Sequence, residues 1–125
     1  MTSPSARIGQ AGESVVVAYL LELGWRILQT NYHCRYGEID VVACTPDSAL
    51  VFVEVKTYKR HAVVSGLSAV TVAKQRRLVA ATQHFLGYQA LDFVPQTIRI
   101  DLVLATPYVV LEHVQNIVSG DSLHY

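Results

Sequence analysis

Apolar positions along this chain follow two periods. Val16, Val17 and Leu20 lie three, four and seven residues after Glu13, the spacing of one helix face. Ser5 or Ser3 can cap a helix that runs to about residue 23, where Gly24 stops it. The helical period is then lost. Residues 25–33 read as a first strand, 37–43 as a second and 50–56 as a third. The third, Leu50-Val51-Phe52-Val53-Glu54-Val55-Lys56, is apolar almost throughout, as in a strand buried on both faces. Helical spacing returns with Val72, Leu78, Val79, Ala81, Phe85 and Leu86, the expected buried stripe of a helix over 72–86. Thr71 caps that helix and Gly87 ends it. Residues 99–105 form a fourth strand and residues 108–114, after Pro107, a fifth. The stretch 58–68 reads as a mobile loop, and the polar tail from Gln115 as loose.

The order is therefore α-β-β-β-α-β-β. Cys44-Thr45-Pro46-Asp47-Ser48-Ala49 has turn chemistry and joins the second and third strands as a hairpin. A helical crossover after the third strand demands a parallel fourth. The expected fold class is α/β: a mixed five-stranded sheet flanked by helices, as a single domain over residues 1–125.

Charges invade this apolar pattern. Glu54 and Lys56 share one face of the third strand, and Glu38 and Asp40 one face of the second. A hairpin centred on Asp47 sets Val42 opposite Phe52 and Asp40 opposite Glu54. Directly opposed side chains have Cβ atoms roughly 4.5–5.5 Å apart, so two carboxylates there repel unless a cation lies between them. Mg²⁺, with oxygen ligands at about 2.0–2.1 Å and retained waters, suits two carboxylates and a substrate phosphate. Glu13 rides the apolar stripe of the first helix, with Gly9 one turn earlier permitting close backbone approach; the plain alternative is a glutamate favoured by the helix dipole. Gln75, one turn before Leu78 and Val79, can reach the edge of such a site to orient a water or a phosphate, or can be a surface glutamine. Asp101 interrupts the fourth strand, as a supporting group or a partner for an Arg or His.

Half of the residues are hydrophobic and the net charge is zero, which argues against disorder and gives no global pull toward polyanions. The distribution says more. No Asp or Glu occurs over residues 55–91, whereas Lys56, Lys59, Arg60, Lys74, Arg76 and Arg77 all fall there. Such segregation can present a positive face to nucleic acid, or a solvated helix face and a basic loop. Cys34 and Cys44 match no redox or zinc spacing, and the histidines form no ligand pair. Residues 15–21 are too short to span a bilayer. A reduced, cytoplasmic protein without a membrane segment is expected.

Glu13, Asp40 and then Glu54-Val55-Lys56 after a thirteen-residue gap resemble the PD-(D/E)XK nuclease pattern. More closely, Gly9-x-x-Gly12-Glu13, Asn31-Tyr32, Gly37-Glu38-Ile39-Asp40, Phe52-Val53-Glu54-Val55-Lys56-Thr57 and Lys74-Gln75-x-Arg77-Leu78, in that order, resemble the YraN-like family of predicted endonucleases, distantly similar to Holliday junction resolvases. The resemblance covers nearly the whole chain. Where the family usually carries an arginine after Lys56-Thr57, this chain has Tyr58 before Lys59 and Arg60. It implies a restriction-endonuclease-like core and a Mg²⁺- or Mn²⁺-dependent endonuclease acting on DNA, branched or flapped. Glu13, Asp40, Glu54, Lys56 and Gln75 would be catalytic, and Asp40, Glu54 and Glu13 would hold metal. Lys59, Arg60, Lys74, Arg76 and Arg77 would bind nucleic acid. A homodimer is part of this expectation, because two strands need two sites; residues 108–111 or a helix face would supply the interface. Two other readings stand beside it. One is a non-catalytic nucleic-acid-binding module with a nuclease fold. The other is a partner-binding protein whose charges form a structural ion-pair network.

Overall fold

A computed structural model describes residues 3–60 and 70–118. The expected loop from residue 61 onward, and the tail beyond residue 118, lie outside the described residues. The elements are α1 (Pro4–Glu22), β1 (Arg26–Cys34), β2 (Gly37–Cys44), β3 (Ala49–Thr57), α2 (Val72–Tyr88), β4 (Thr97–Ala105) and β5 (Val110–Val114). They form a single five-stranded sheet in chain order. β1–β2, β2–β3 and β4–β5 pair antiparallel, and β3–β4 pair parallel after the α2 crossover. This is the mixed α/β architecture that the pattern predicts.

Local chemistry sets the ends. Ser3, not Ser5, caps α1: its Oγ accepts the Ala6 N–H at 3.1 Å, and Pro4 opens the helix. Gly24, at φ +83°, reverses the chain so that the Trp25 N–H donates back to the Leu20 carbonyl. Thr71 caps α2 through the Lys74 N–H. Gly87 does not end that helix, which continues to Tyr88 and is closed by Gln89 donating to Phe85. A Cβ at Gly87 would meet nothing, so no turn requires glycine there. β5 starts at Val110 rather than 108, because Thr106 Oγ1 accepts the Tyr108 and Val109 N–H groups in a turn.

β3 divides the core. Leu50 and Phe52 pack with Tyr32, Val42, Leu78, Ala81 and Phe85 under α2. Val51 and Val53 pack with Val16, Leu20, Val41 and Ala43 under α1. The helices therefore cover opposite faces, which is why the strand reads as a continuous apolar run. Phe85 meets both Phe52 and Tyr32 edge-on, at 5.4 and 5.1 Å between ring centroids, and each such pair adds about 0.5–1.5 kcal/mol beyond area burial. The α2 stripe is Leu78, Ala81, Thr82 and Phe85. Val72, expected inside it, is 63% exposed, since it lies in the first turn beyond the sheet.

Gly12 is the point of close approach of α1 to the sheet. A Cβ there would fall 2.1 Å from Thr57 Oγ1, whereas one at Gly9 would meet nothing. The contact assigned by sequence to Gly9 thus belongs to Gly12, which seats α1 on the end of β3 and delivers the next residue, Glu13, to the edge of the sheet.

Candidate metal centre

The hairpin register is the expected one as far as it runs: Cys44 pairs with Leu50, Val42 with Phe52 and Val41 with Val53. The ladder stops one step short of Asp40 and Glu54. Instead, Asp40 Oδ2 accepts the Val55 N–H at 2.8 Å, so a side chain takes the place of the backbone partner. On the other flank, Asn31 adopts φ +52°, and the β1–β2 ladder passes from Thr30–Val41 to Tyr32–Ile39 without an Asn31–Asp40 pair. Asparagine tolerates this left-handed conformation better than most residues. The irregularity breaks the alternation of β2: Ile39 joins the core under α2, while Val41 joins the core under α1. Glu38 and Asp40 therefore do not simply share a flat face, as strand periodicity suggests. The acids wrap around the end of the sheet.

On the α1 side, Glu13, Asn31 and Asp40 line a cleft of about 420 Å³. On the α2 side, Glu38, Glu54, Lys74 and Arg77 line a smaller one of about 150 Å³. The two sides meet. Carboxylate oxygens of Glu13, Glu38 and Asp40 lie within 4.8 Å of one another. With its amide nitrogen turned toward the acids, Asn31 donates to Glu38 Oε1 at 3.0 Å and Glu13 Oε2 at 3.2 Å.

The electrostatics follow from this crowding. Burial first, and then the Glu54, Glu13 and Glu38 charges, push the Asp40 carboxyl up to about 8 against the opposing Val55 N–H. Glu13 is also raised, chiefly by burial; its hydrogen bond with Asp40 opposes this, and the Glu38 and Glu54 charges add to it. A cluster held this way either keeps protons at neutral pH or takes a cation. Its donors are all carboxylate oxygens, without thiol or imidazole, so they fit a hard divalent ion such as Mg²⁺ or Mn²⁺.

The other candidate residues divide around this group. Glu54 is buried, at 8% exposure, and its Oε1 meets Lys74 Nζ at 2.9 Å. It acts on Asp40 and Glu13 through its charge but stands outside the close trio. Lys56, two residues on, is exposed, with Nζ 6.0 Å from the centre of the Tyr58 ring. Lys74 and Arg77 face Glu54. Gln75 and Arg76 do not: they line a groove with Val79 and Val118 on another side of α2. The site-edge role expected of Gln75 therefore passes to Lys74, one residue and about 100° of helix away. Lys59 and Arg60 are exposed at the end of the described segment.

Asp101 is fully buried and belongs elsewhere; where an Arg or a His is expected as its partner, it has both. It accepts from Arg99 Nε at 3.1 Å and from the Asn116 N–H at 3.0 Å, and lies 2.8 Å from His113 Nε2. His113 in turn meets the Tyr19 hydroxyl at 2.8 Å, tying β4, β5 and α1 together.

Sequence reasoning gave no role to Glu38 or Asn31. The available signal was an acid inside a strand and an asparagine, tolerant of positive φ, in an otherwise regular one.

Residues 12–105 match the uncharacterised protein family UPF0102, a span that begins at the α1 contact glycine and includes Glu13, Glu38, Asp40, Glu54 and Asp101. A UPF0102 protein of Chloroflexus aurantiacus is 43% identical over 107 residues, covering 85% of this chain and 84% of its own. One from Synechococcus is 44% identical over 98 residues, covering 78% and 73%. One from Mycolicibacterium vanbaalenii is 41% identical over 102 residues, covering 82% of each. Among solved structures, a protein of unknown function from Silicibacter pomeroyi overlaps 93% of this chain and 73% of its own, at TM-score 0.44 and 14% identity, a likeness too weak to carry an argument. On the family match and these identities, the chain belongs to the UPF0102 family, the YraN-like group that its motifs resemble.

Proposed function

We propose that this chain is a metal-dependent endonuclease that hydrolyses phosphodiester bonds in DNA. The observation that carries the reading is the convergence of Glu13, Glu38 and Asp40 within 4.8 Å, beside Lys74 and Arg77, at the end of the sheet. In this proposal the three carboxylates hold Mg²⁺ or Mn²⁺, and Asn31 orients Glu13 and Glu38 from their midst. The bound ion supplies a more acidic water and stabilises charge on the phosphate oxygens. Lys56 holds a proton near the attacking water or faces the developing charge. Lys74 and Arg77 hold the phosphodiester, with Lys59 and Arg60 following the strand and Arg76 contacting it outside the cleft. Glu54 joins the ligand set when Lys74 turns to phosphate; in the free protein the two neutralise each other.

That ion pair also favours a second reading, a nucleic-acid-binding module in which Glu54 and Lys74 are structural. A labelled panel of duplex, single strand, flap, four-way junction and RNA, with Mg²⁺ or Mn²⁺, separates the two. The nuclease reading expects cutting by the wild type and none by Asp40→Ala or Glu54→Ala. Binding without cutting, equally strong in EDTA, supports the module. Cutting both strands of a duplex needs two sites, so the proposal includes a homodimer through residues 108–111, where Tyr108 is 84% exposed. A light-scattering mass of one chain in the presence of DNA rules that part out.

A further inference from the structure

A further cleft, of about 550 Å³, lies beyond the acid cluster and is lined mainly by flat side chains: Arg35 and Tyr36 from the β1–β2 turn, and His84 and Tyr88 from α2. His84 and Tyr88 stack, with ring centroids 4.4 Å apart and planes 21° apart. Tyr36 meets His84 edge-on at 6.1 Å, and the Arg35 guanidinium carbon stands 4.8 Å from the centre of the Tyr36 ring. His84 is anchored from below by the Tyr32 hydroxyl at its Nδ1. The platform is nonetheless open: Tyr88 is 76% exposed and Tyr36 39%. Core packing does not account for aromatic faces left in water, and no acid lines the cleft.

Its position gives it meaning. Tyr36 leads directly into Gly37 and Glu38 of the acid site. On α2, His84 and Tyr88 follow Arg77 by seven and eleven residues, about 10 and 16 Å along the same side of the helix. The cleft is thus a continuation of the site, reached along both elements that build it.

We infer that this aromatic cleft stacks unpaired bases of a DNA strand whose backbone lies across Arg77 and Lys74, so that the substrate carries unpaired nucleotides beside the phosphate to be cut. The inference rests on the nuclease reading for the last step, and on the cleft alone for the first. Bases inside a duplex are stacked on each other and cannot lie on a protein ring. Unpaired bases can, and each gains about 1–3 kcal/mol from doing so, whatever its sequence. Arg35 adds a cation and a planar surface that tolerate the phosphate backbone.

Binding measured in EDTA keeps this inference separate from catalysis. A fluorescent ten-nucleotide single strand and a blunt duplex are titrated with wild type, Asp40→Asn, Tyr36→Ala, Tyr88→Ala and Tyr88→Phe. Wild type and Asp40→Asn are expected to prefer the single strand. Tyr36→Ala and Tyr88→Ala should each weaken single-strand binding about 5- to 150-fold, leave duplex binding unchanged, and restore the fluorescence of a 2-aminopurine base that the wild type quenches; Tyr88→Phe should behave as wild type. The tyrosines are exposed, so an unchanged thermal midpoint should accompany the loss. Single-strand binding and 2-aminopurine quenching that survive both alanine variants, or equal losses on single strand and duplex, overturn the inference. If the binding pattern holds and no substrate is cut, the nuclease reading fails while the base platform stands.

Discussion

Asp40 concentrates the tension in this structure. Its carboxyl is raised to about 8 from an ordinary 3.8, so the folded chain binds its proton more tightly than the unfolded chain does. The sign follows by linkage: this contribution to stability is fully present below the unfolded pKa and is lost as pH rises through the folded one. In EDTA, the protein should therefore lose stability between about pH 4 and 8 from this group, with Glu13 adding in the same direction. Asp40→Asn removes a repelled carboxylate while keeping an acceptor for the Val55 N–H. At pH 8 without metal it should be more stable than wild type, by on the order of 1–3 kcal/mol, and flatter with pH; thermal melts at pH 5 and pH 8 check this, and a wild type that is the more stable at pH 8 contradicts it. Added Mn²⁺ should raise the wild-type midpoint more at pH 8 than at pH 6, because the ion competes with the proton, and should do little for Asp40→Asn. Lys74→Met tests the neighbouring pair: it leaves the 8%-exposed Glu54 without the partly exposed cation it meets and should cost about 1–3 kcal/mol.

Elements decide how these residues meet, and the sequence shows this unevenly. The caps Ser3 and Thr71 and the apolar run of β3 are strong local signals, and the structure keeps all three. The register of the hairpin was legible because Val42 and Phe52 must face the same core. Beyond Val41 it was not, because the left-handed turn of Asn31 and the loss of alternation in β2 arise from contacts between strands rather than from either strand alone. Gln75 and Lys74 were exchanged for a similar reason: one helical residue changes the face, and what lies opposite is set by tertiary packing. The same holds for Gly9 and Gly12, two glycines indistinguishable by type until α1 is placed on Thr57. Gly12→Ala forces that contact apart. It should destabilise the fold by about 1–3 kcal/mol, and, by lifting α1 with Glu13, should weaken Mn²⁺ binding as read by calorimetry. Gly9→Ala, with open space at its Cβ, should leave Mn²⁺ binding unchanged and stabilise the helix by about 0.5–1 kcal/mol, and matching destabilisation at the two positions would show that α1 is seated elsewhere.

At the scale of the molecule, two polar networks among the described residues, one buried around Asp101 and one partly open around Glu13, Glu38 and Asp40, make different demands. Asp101, with Arg99, His113 and the Asn116 N–H, satisfies its charge within the protein and ties β4 to β5 and, through Tyr19, to α1. The group at the ends of β2 and β3 does not: three acids converge with Asn31 as the donor between them, and the paired cation, Lys74, serves Glu54. Asp101→Ala should therefore cost about 3–5 kcal/mol, leaving Arg99 and His113 without their shared acceptor, while any folded fraction keeps its affinity for Mn²⁺. Substitutions in the acid group should do the reverse. The most direct measurement is cleavage of a labelled flap DNA with Mn²⁺ by wild type and Asp40→Asn side by side, each shown folded by its melt. The account predicts that the wild type cuts, that EDTA stops it, and that the more stable variant is inactive. Equal cutting by both proteins, or none by a wild type that binds the DNA, would contradict it.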